Sequence, residues 1–139
     1  MSVKAFVDTN VLIYLHDTTA GAKREAARQL VSDLWERGGG CVSVQVLQEF
    51  YVNSTKKLGM AESEAEAQVS RLFDWTVHVP TPRDVVSAIR LHRAQQLSFW
   101  DAMIVYSSVK LGCDTLYSEG INAGQTIAGV KVVNPFEQV

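Results

Sequence analysis

Short apolar runs that predict strands are separated along the chain by longer runs with helical spacing. Val3-Lys4-Ala5-Phe6-Val7 is strand-like and ends at Asp8, and Val11, Leu12, Tyr14 and Leu15 follow at once as a short helix with a wide apolar face. Asp17-Thr18-Thr19-Ala20-Gly21 breaks that run. Over residues 22–37, Ala26, Ala27, Leu30, Val31 and Leu34 fall on one side, opposite Lys23, Arg24, Glu25, Arg28 and Glu36, as in an amphipathic helix. Gly38-Gly39-Gly40 stops it and turns the chain. Cys41-Val42-Ser43 predicts a minimal strand, with Ser43 placed to cap a helix over 44–58. In that helix Val44, Leu47, Tyr51 and Leu58 are apolar, and Gln45, Gln48, Glu49, Asn53 and Lys56 are polar.

A further amphipathic helix is expected over 62–75, with Ala65, Val69, Leu72 and Phe73 as its buried stripe, and then a strand over 76–79. Thr81-Pro82 opens another helix, with proline in the first turn where its missing N–H costs nothing. Val85, Val86, Ile89, Leu91 and His92 line it. Residues 102–112 are apolar on nearly all sides, as a buried helix should be. Thr115-Leu116-Tyr117 and Val130-Lys131-Val132-Val133 are the last strands, with a glycine-containing loop over 118–129 between them.

Strands separated by helices imply parallel pairing through crossovers. The expectation is one three-layer α/β/α domain over residues 1–139, around a central, mostly parallel sheet of about five short strands. A chain of 139 residues, 47% hydrophobic and 20% charged, has enough apolar material for one core. A formal net charge of -2 excludes a general nucleic-acid coat protein. Any nucleic-acid contact must come from a local patch, for which Lys56, Lys57, Arg83, Arg90 and Arg93 are candidates. Cys41 and Cys113 have no metal-type spacing, and with no secretory leader they suggest a reduced, cytoplasmic protein. No apolar run approaches the roughly 18 residues of a membrane span.

Candidate chemistry lies in the acids. Asp8 follows the first strand, at the end where open α/β sheets bind ligands. Thr9 and Asn10 are short polar groups able to orient its carboxylate or a water, although Asp, Thr and Asn are equally good helix caps. Asp101 starts a helix, where backbone N–H groups favour an anion; capping and chemistry are both open for it. Glu119 follows the fourth strand, and Glu49 sits on the helix after the second. If the first and fourth strands are neighbours, Asp8 and Glu119 lie side by side. Carboxylates ~5 Å apart at an effective dielectric of ~20 repel by about 3 kcal/mol per pair, so a fold that gathers them must neutralise them. Protons or a hard divalent cation can do so, and magnesium or manganese holding a substrate phosphate supports phosphodiester hydrolysis. Nucleotide-binding loops of the GxxxxGK[ST] or GxGxxG type are absent, and His16, His78 and His92 lack metal-ligand spacing and are expected to be surface or half-buried residues.

Five segments, in order, resemble the PIN-domain ribonucleases, close to the VapC-type toxins of toxin–antitoxin pairs. They are Val7-Asp8-Thr9-Asn10-Val11-Leu12-Ile13-Tyr14, Val46-Leu47-Gln48-Glu49-Phe50-Tyr51, Leu97-Ser98-Phe99-Trp100-Asp101-Ala102, Thr115-Leu116-Tyr117-Ser118-Glu119 and Val132-Val133-Asn134-Pro135-Phe136. The resemblance implies an Mg2+- or Mn2+-dependent endoribonuclease. It implies Asp8, Glu49 and Asp101 at the acidic metal-site positions, Ser118 as the small hydroxyl residue after the fourth strand, and Thr9 and Asn10 in the first motif. It also implies an RNA substrate, single-stranded or structured, a homodimer, and a cognate antitoxin whose peptide crosses the acidic groove.

One departure matters. Related sequences often read Ser-Glu-Asp after the fourth strand, where this chain has Ser118-Glu119-Gly120. Either Glu119 reaches inward as a substitute catalytic acid, or a three-acid site binds one metal and works weakly, or Asn122 helps through water. The competing reading is a PIN-fold module, weak or inactive as an enzyme, that binds RNA or a partner protein. Leu12, Ile13, Tyr14 and the apolar side of the 62–75 helix are candidate surface for such a partner.

Overall fold

The computed structural model describes residues 3–138. Strand β1 (Ala5–Val7) is followed by helices α1 (Thr9–His16) and α2 (Ala22–Arg37), then by β2 (Gly40–Ser43), α3 (Val44–Lys57) and α4 (Glu62–Arg71). A 3₁₀ turn over Leu72–Asp74 leads into β3 (Thr76–His78), α5 (Pro82–Gln95) and α6 (Phe99–Lys110). Strands β4 (Thr115–Tyr117), β5 (Thr126–Ile127) and β6 (Val130–Val133) complete one sheet in the order β3-β2-β1-β4-β6-β5.

All pairs are parallel except β5 with β6. From β1 the chain moves outward through β2 and β3, then returns to place β4 on the other side of β1. The carboxyl ends of β1 and β4 therefore meet where the strand order reverses, the place at which open sheets bind ligands. Helices α1 and α3 pack together, α1 on α2 and α3 on α4, while α5 packs on α6 and α6 covers β2, β4 and β6. The sheet is thus sandwiched in three layers, with Phe6, Val7, Val42, Leu116 and Val132 in its fully buried centre. Among the described residues no helix is long and apolar enough to cross a membrane.

Local sequence explains the element ends. Ser43 accepts a hydrogen bond from Val46 N and starts α3, and Thr81 and Asp84 form a reciprocal capping box at α5. Gly39 has φ +91°, and an added Cβ would stand 2.5 Å from Val3 O. Gly40 lies against the Trp75 ring, 2.6 Å from where its Cβ would be, so the glycine turn also lets an aromatic side chain seal the edge of β2.

The structure corrects several expectations. There are six strands, because the loop after β4 forms a short antiparallel pair with β6. The helix expected to reach Trp75 ends at Arg71, and Phe73 in the 3₁₀ turn is 65% exposed. The tighter winding rotates Phe73 out of the stripe while Leu72 stays in the core. On α5 the buried residues are Asp84 and Ala88, and Val85, Val86 and Ile89 are exposed. His78 is buried rather than at the surface. Its Nδ1 is 2.7 Å from Ser107 Oγ, and its Nε2 lies 3.3 Å from Asp84 Oδ2 without hydrogen-bond alignment. That polar cluster lies between β3, α5 and α6.

Candidate functional site

Asp8 leaves β1 at the sheet's carboxyl edge, and its backbone N–H donates to Tyr117 O of β4 at 2.9 Å. It is the N-cap of α1, accepting from Thr9 N on Oδ1 at 2.7 Å. On Oδ2 it accepts from Ser118 Oγ at 2.7 Å and from Asn10 Nδ2 at 3.5 Å. Capping uses one carboxylate oxygen and leaves the other held by groups from β4 and α1, so the structural role does not exclude a chemical one. Burial pushes Asp8 up to about 6, against the pull of the Ser118 and Thr9 hydrogen bonds. The charges of Glu49 and Asp101 contribute to that rise, less than burial does.

Glu49 comes from the second turn of α3. It accepts from Thr9 Oγ1 on Oε1 at 2.7 Å and from Gln45 Nε2 on Oε2 at 3.2 Å. Asp101 lies in the first turn of α6, where its backbone N–H donates to the N-cap Ser98 Oγ at 3.1 Å. Burial raises its pKa, the Ser98 hydrogen bond lowers it, and the charge of Glu49 raises it.

Asp8, Glu49 and Asp101 line one pocket of about 390 Å³ with Thr9, Asn10, Ile13, Tyr14, Asn53 and Lys57. Three elements far apart in sequence thus deliver acids to one concave surface. The donors are all hard oxygens, the type that suits magnesium or manganese. Among the described residues no three Asp, Glu, His or Cys side chains are grouped closely enough to hold an ion directly between them. This arrangement fits magnesium, which binds through one or two carboxylates and keeps several waters, and the pocket has volume for them.

Glu119 is placed elsewhere. Its carboxylate accepts from Tyr14 OH at 2.7 Å and pairs with Lys23 Nζ at 2.7 Å, and it is not part of the pocket lining. Only its backbone reaches toward the acids, its N–H donating to Asn10 Oδ1 at 3.2 Å. Burial pushes Glu119 up, but the Lys23 and Tyr14 hydrogen bonds outweigh it and hold the carboxyl below its ordinary range. Ser118 is fully buried behind Asp8. Of the cations considered, Lys57 lines the pocket; Lys56 does not, and Arg83, Arg90 and Arg93 are exposed on α5. Leu12 is in the core, while Ile13 and Tyr14 are half-buried in the pocket wall.

Sequence reasoning overlooked Gln45 and gave Asn53 no role. The signal was present: Gln45, Glu49, Asn53 and Lys57 recur at four-residue spacing, which puts them on one face of α3.

Comparison with known proteins gives the following. A family model described as PIN domain matches residues 5–122. A toxin–antitoxin complex from Klebsiella pneumoniae superposes with a TM-score of 0.72 at 21% identity, covering 96% of this chain and 99% of that one. DNA-bound VapBC from Salmonella typhimurium gives 0.67 at 18% identity, with 96% and 99% covered. The Mycobacterium tuberculosis toxin VapC20, described as cleaving the sarcin-ricin loop, gives 0.61 at 19% identity, with 81% and 87% covered. At these identities the likeness is one of fold. No curated protein matches the chain in sequence.

Proposed function

Because this chain belongs to the PIN domain family, we propose that it is a divalent-metal-dependent endoribonuclease, acting in the cytoplasm as the toxin of a type II toxin–antitoxin pair. The observation that carries this reading is the convergence of Asp8, Glu49 and Asp101 on one pocket at the carboxyl edge of the sheet. The toxin–antitoxin assemblies among its structural neighbours support a cognate antitoxin as partner, and a homodimer of single-domain chains, residues 1–139, belongs to the same proposal.

In this mechanism Asp8, Glu49 and Asp101 hold Mg2+ or Mn2+, directly or through water. When bound, the ion polarises the phosphodiester and offsets charge that develops on its oxygens. Ser118 and Thr9 hold the acids in position: Ser118 fixes Asp8 and Thr9 fixes Glu49. Asn10 links Asp8 to the Ser118 hydroxyl and to the Glu119 backbone N–H. Lys57, on the pocket wall, supplies the positive charge that a phosphate backbone requires.

The test is cleavage of single-stranded RNA with and without magnesium or manganese. Asp8→Asn and Asp101→Asn are each expected to abolish metal-dependent cleavage while the circular dichroism spectrum stays native. Equal cleavage by wild type and both variants removes the proposal. The second reading, a binding module without catalysis, is favoured by one observation, the glycine at position 120 where a fourth acid is expected. It predicts no metal-dependent rise in melting temperature, because nothing then binds the native state preferentially.

A further inference from the structure

Glu49 is the middle of a hydrogen-bonded chain that spans the site. On one side Thr9 Oγ1, next to Asp8, donates to its Oε1 at 2.7 Å. On the other, Gln45 Nε2 donates to its Oε2 at 3.2 Å and to Trp100 O, the carbonyl preceding Asp101, at 3.3 Å. One primary amide thus ties the Glu49 carboxylate to the helix turn that carries Asp101. We propose that Gln45 is a positioning residue that sets the spacing and orientation of Glu49 and Asp101 toward a shared divalent cation; the inference rests on the metal-site reading above.

Three features of Gln45 support this role over a packing one. It is 8% exposed, a polar residue buried on α3 with Val46 and Phe50. Its Oε1 is buried and has no hydrogen-bond partner among the described residues. An unsatisfied buried acceptor opposes folding, so an apolar side chain of the same size would serve the core better. What such a side chain cannot supply is the pair of N–H groups, one for each neighbour. Two donors from one planar group also fix a distance, which separate contacts to Glu49 and to the α6 turn would not.

The test substitutes the amide by an apolar side chain of similar length, Gln45→Met, with Gln45→Leu as a second variant. Mn2+ affinity is read from the metal-induced rise in melting temperature and from titration calorimetry, alongside metal-free melting and the cleavage constants. Expected are a metal-free melting temperature equal to or above wild type, Mn2+ affinity weaker by about 10-fold or more, and a fall in kcat with KM little changed. Wild-type Mn2+ affinity in a folded Gln45→Met protein overturns the inference and leaves the proposed function standing. Loss of the folded state in both variants assigns Gln45 to the core and also overturns it. A wild-type protein that neither binds Mn2+ nor cleaves RNA overturns the proposed function and this inference together.

Discussion

Asp8→Asn should make the metal-free protein more stable at neutral pH, although it removes the residue proposed to matter most for activity. Asp8 is 7% exposed, and burial is the largest influence on it. Its pKa moves from 3.8 to about 6. At about 1.36 kcal/mol per pKa unit, keeping Asp8 ionised in the folded state costs about 3 kcal/mol. Asparagine has no charge to desolvate and can still accept from Thr9 N, but it loses a charge-assisted bond from Ser118. A net gain of about 1–3 kcal/mol is expected, which for a chain of this length is a rise of roughly 3–10 °C in melting temperature.

The pH dependence gives the prediction its sharper form. A carboxyl whose folded pKa is raised binds its proton more tightly in the native state than in the unfolded one. Wild type therefore gains stability from Asp8 as pH falls through about 6, and has the full gain below 3.8, where the group is protonated in both states. The variant lacks this dependence, so its advantage is largest above about pH 7 and vanishes near pH 4. Thermal melts of both proteins in a chelating buffer across that range measure it. Magnesium or manganese should then narrow or reverse the gap by stabilising wild type alone. Superimposed metal-free stability curves at every pH would refute the desolvation argument.

The remaining predictions concern the edges of the site. Glu119→Gln should leave RNA cleavage unchanged and cost less than about 1 kcal/mol, because the Lys23 pair it breaks is partly exposed; a lost activity would return Glu119 to the catalytic set. Gly120→Asp should fold normally, since an added Cβ meets only Asn10 Nδ2 at 3.8 Å, and should tighten Mn2+ binding in calorimetry by supplying a fourth acid. Lys57→Ala should weaken RNA binding by filter or anisotropy assay and reduce the salt dependence of log K by about one phosphate's worth, leaving the metal-free melting temperature within about 1 °C. Wild-type affinity and an unchanged salt slope would remove Lys57 from the RNA contact.

Much of the layout was legible because it rests on local signals. Ser43, Thr81-Pro82 and the three glycines at 38–40 mark element ends by capping and backbone freedom, and the structure places ends at each of them. Asp8 could be placed at the sheet's carboxyl edge because a strand ends and a helix begins with no intervening loop. Long-range side-chain partners were not legible. Glu119 was expected beside Asp8, and its backbone is, but Lys23 and Tyr14 pull its carboxylate away. Neither residue neighbours it in sequence, so periodicity carries no trace of the contact. His78, Asp84 and Ser107 form a buried polar cluster for the same reason. Phe73 failed differently: a switch from α to 3₁₀ winding shifts the exposed face within a single turn.

The way charge is distributed around the pocket bears on what it can bind. The hydrogen-bond partners of the Asp8 and Glu49 carboxylates are neutral donors: Ser118 Oγ, Thr9 N and Oγ1, Asn10 Nδ2 and Gln45 Nε2. Neutral donors fix carboxylate geometry without cancelling its formal charge, whereas an ammonium at the same distance would do both. Lys23 is paired with Glu119 outside the lining. Lys57 lines the wall without an ion pair to any of the three among the described residues. Asp8 and Glu49 are therefore oriented without a cation beside them, and burial raises the pKa of Asp8 and of Asp101. On the proposed function, theirs is a charge a divalent cation would neutralise, with Lys57 on the same pocket wall for the phosphate.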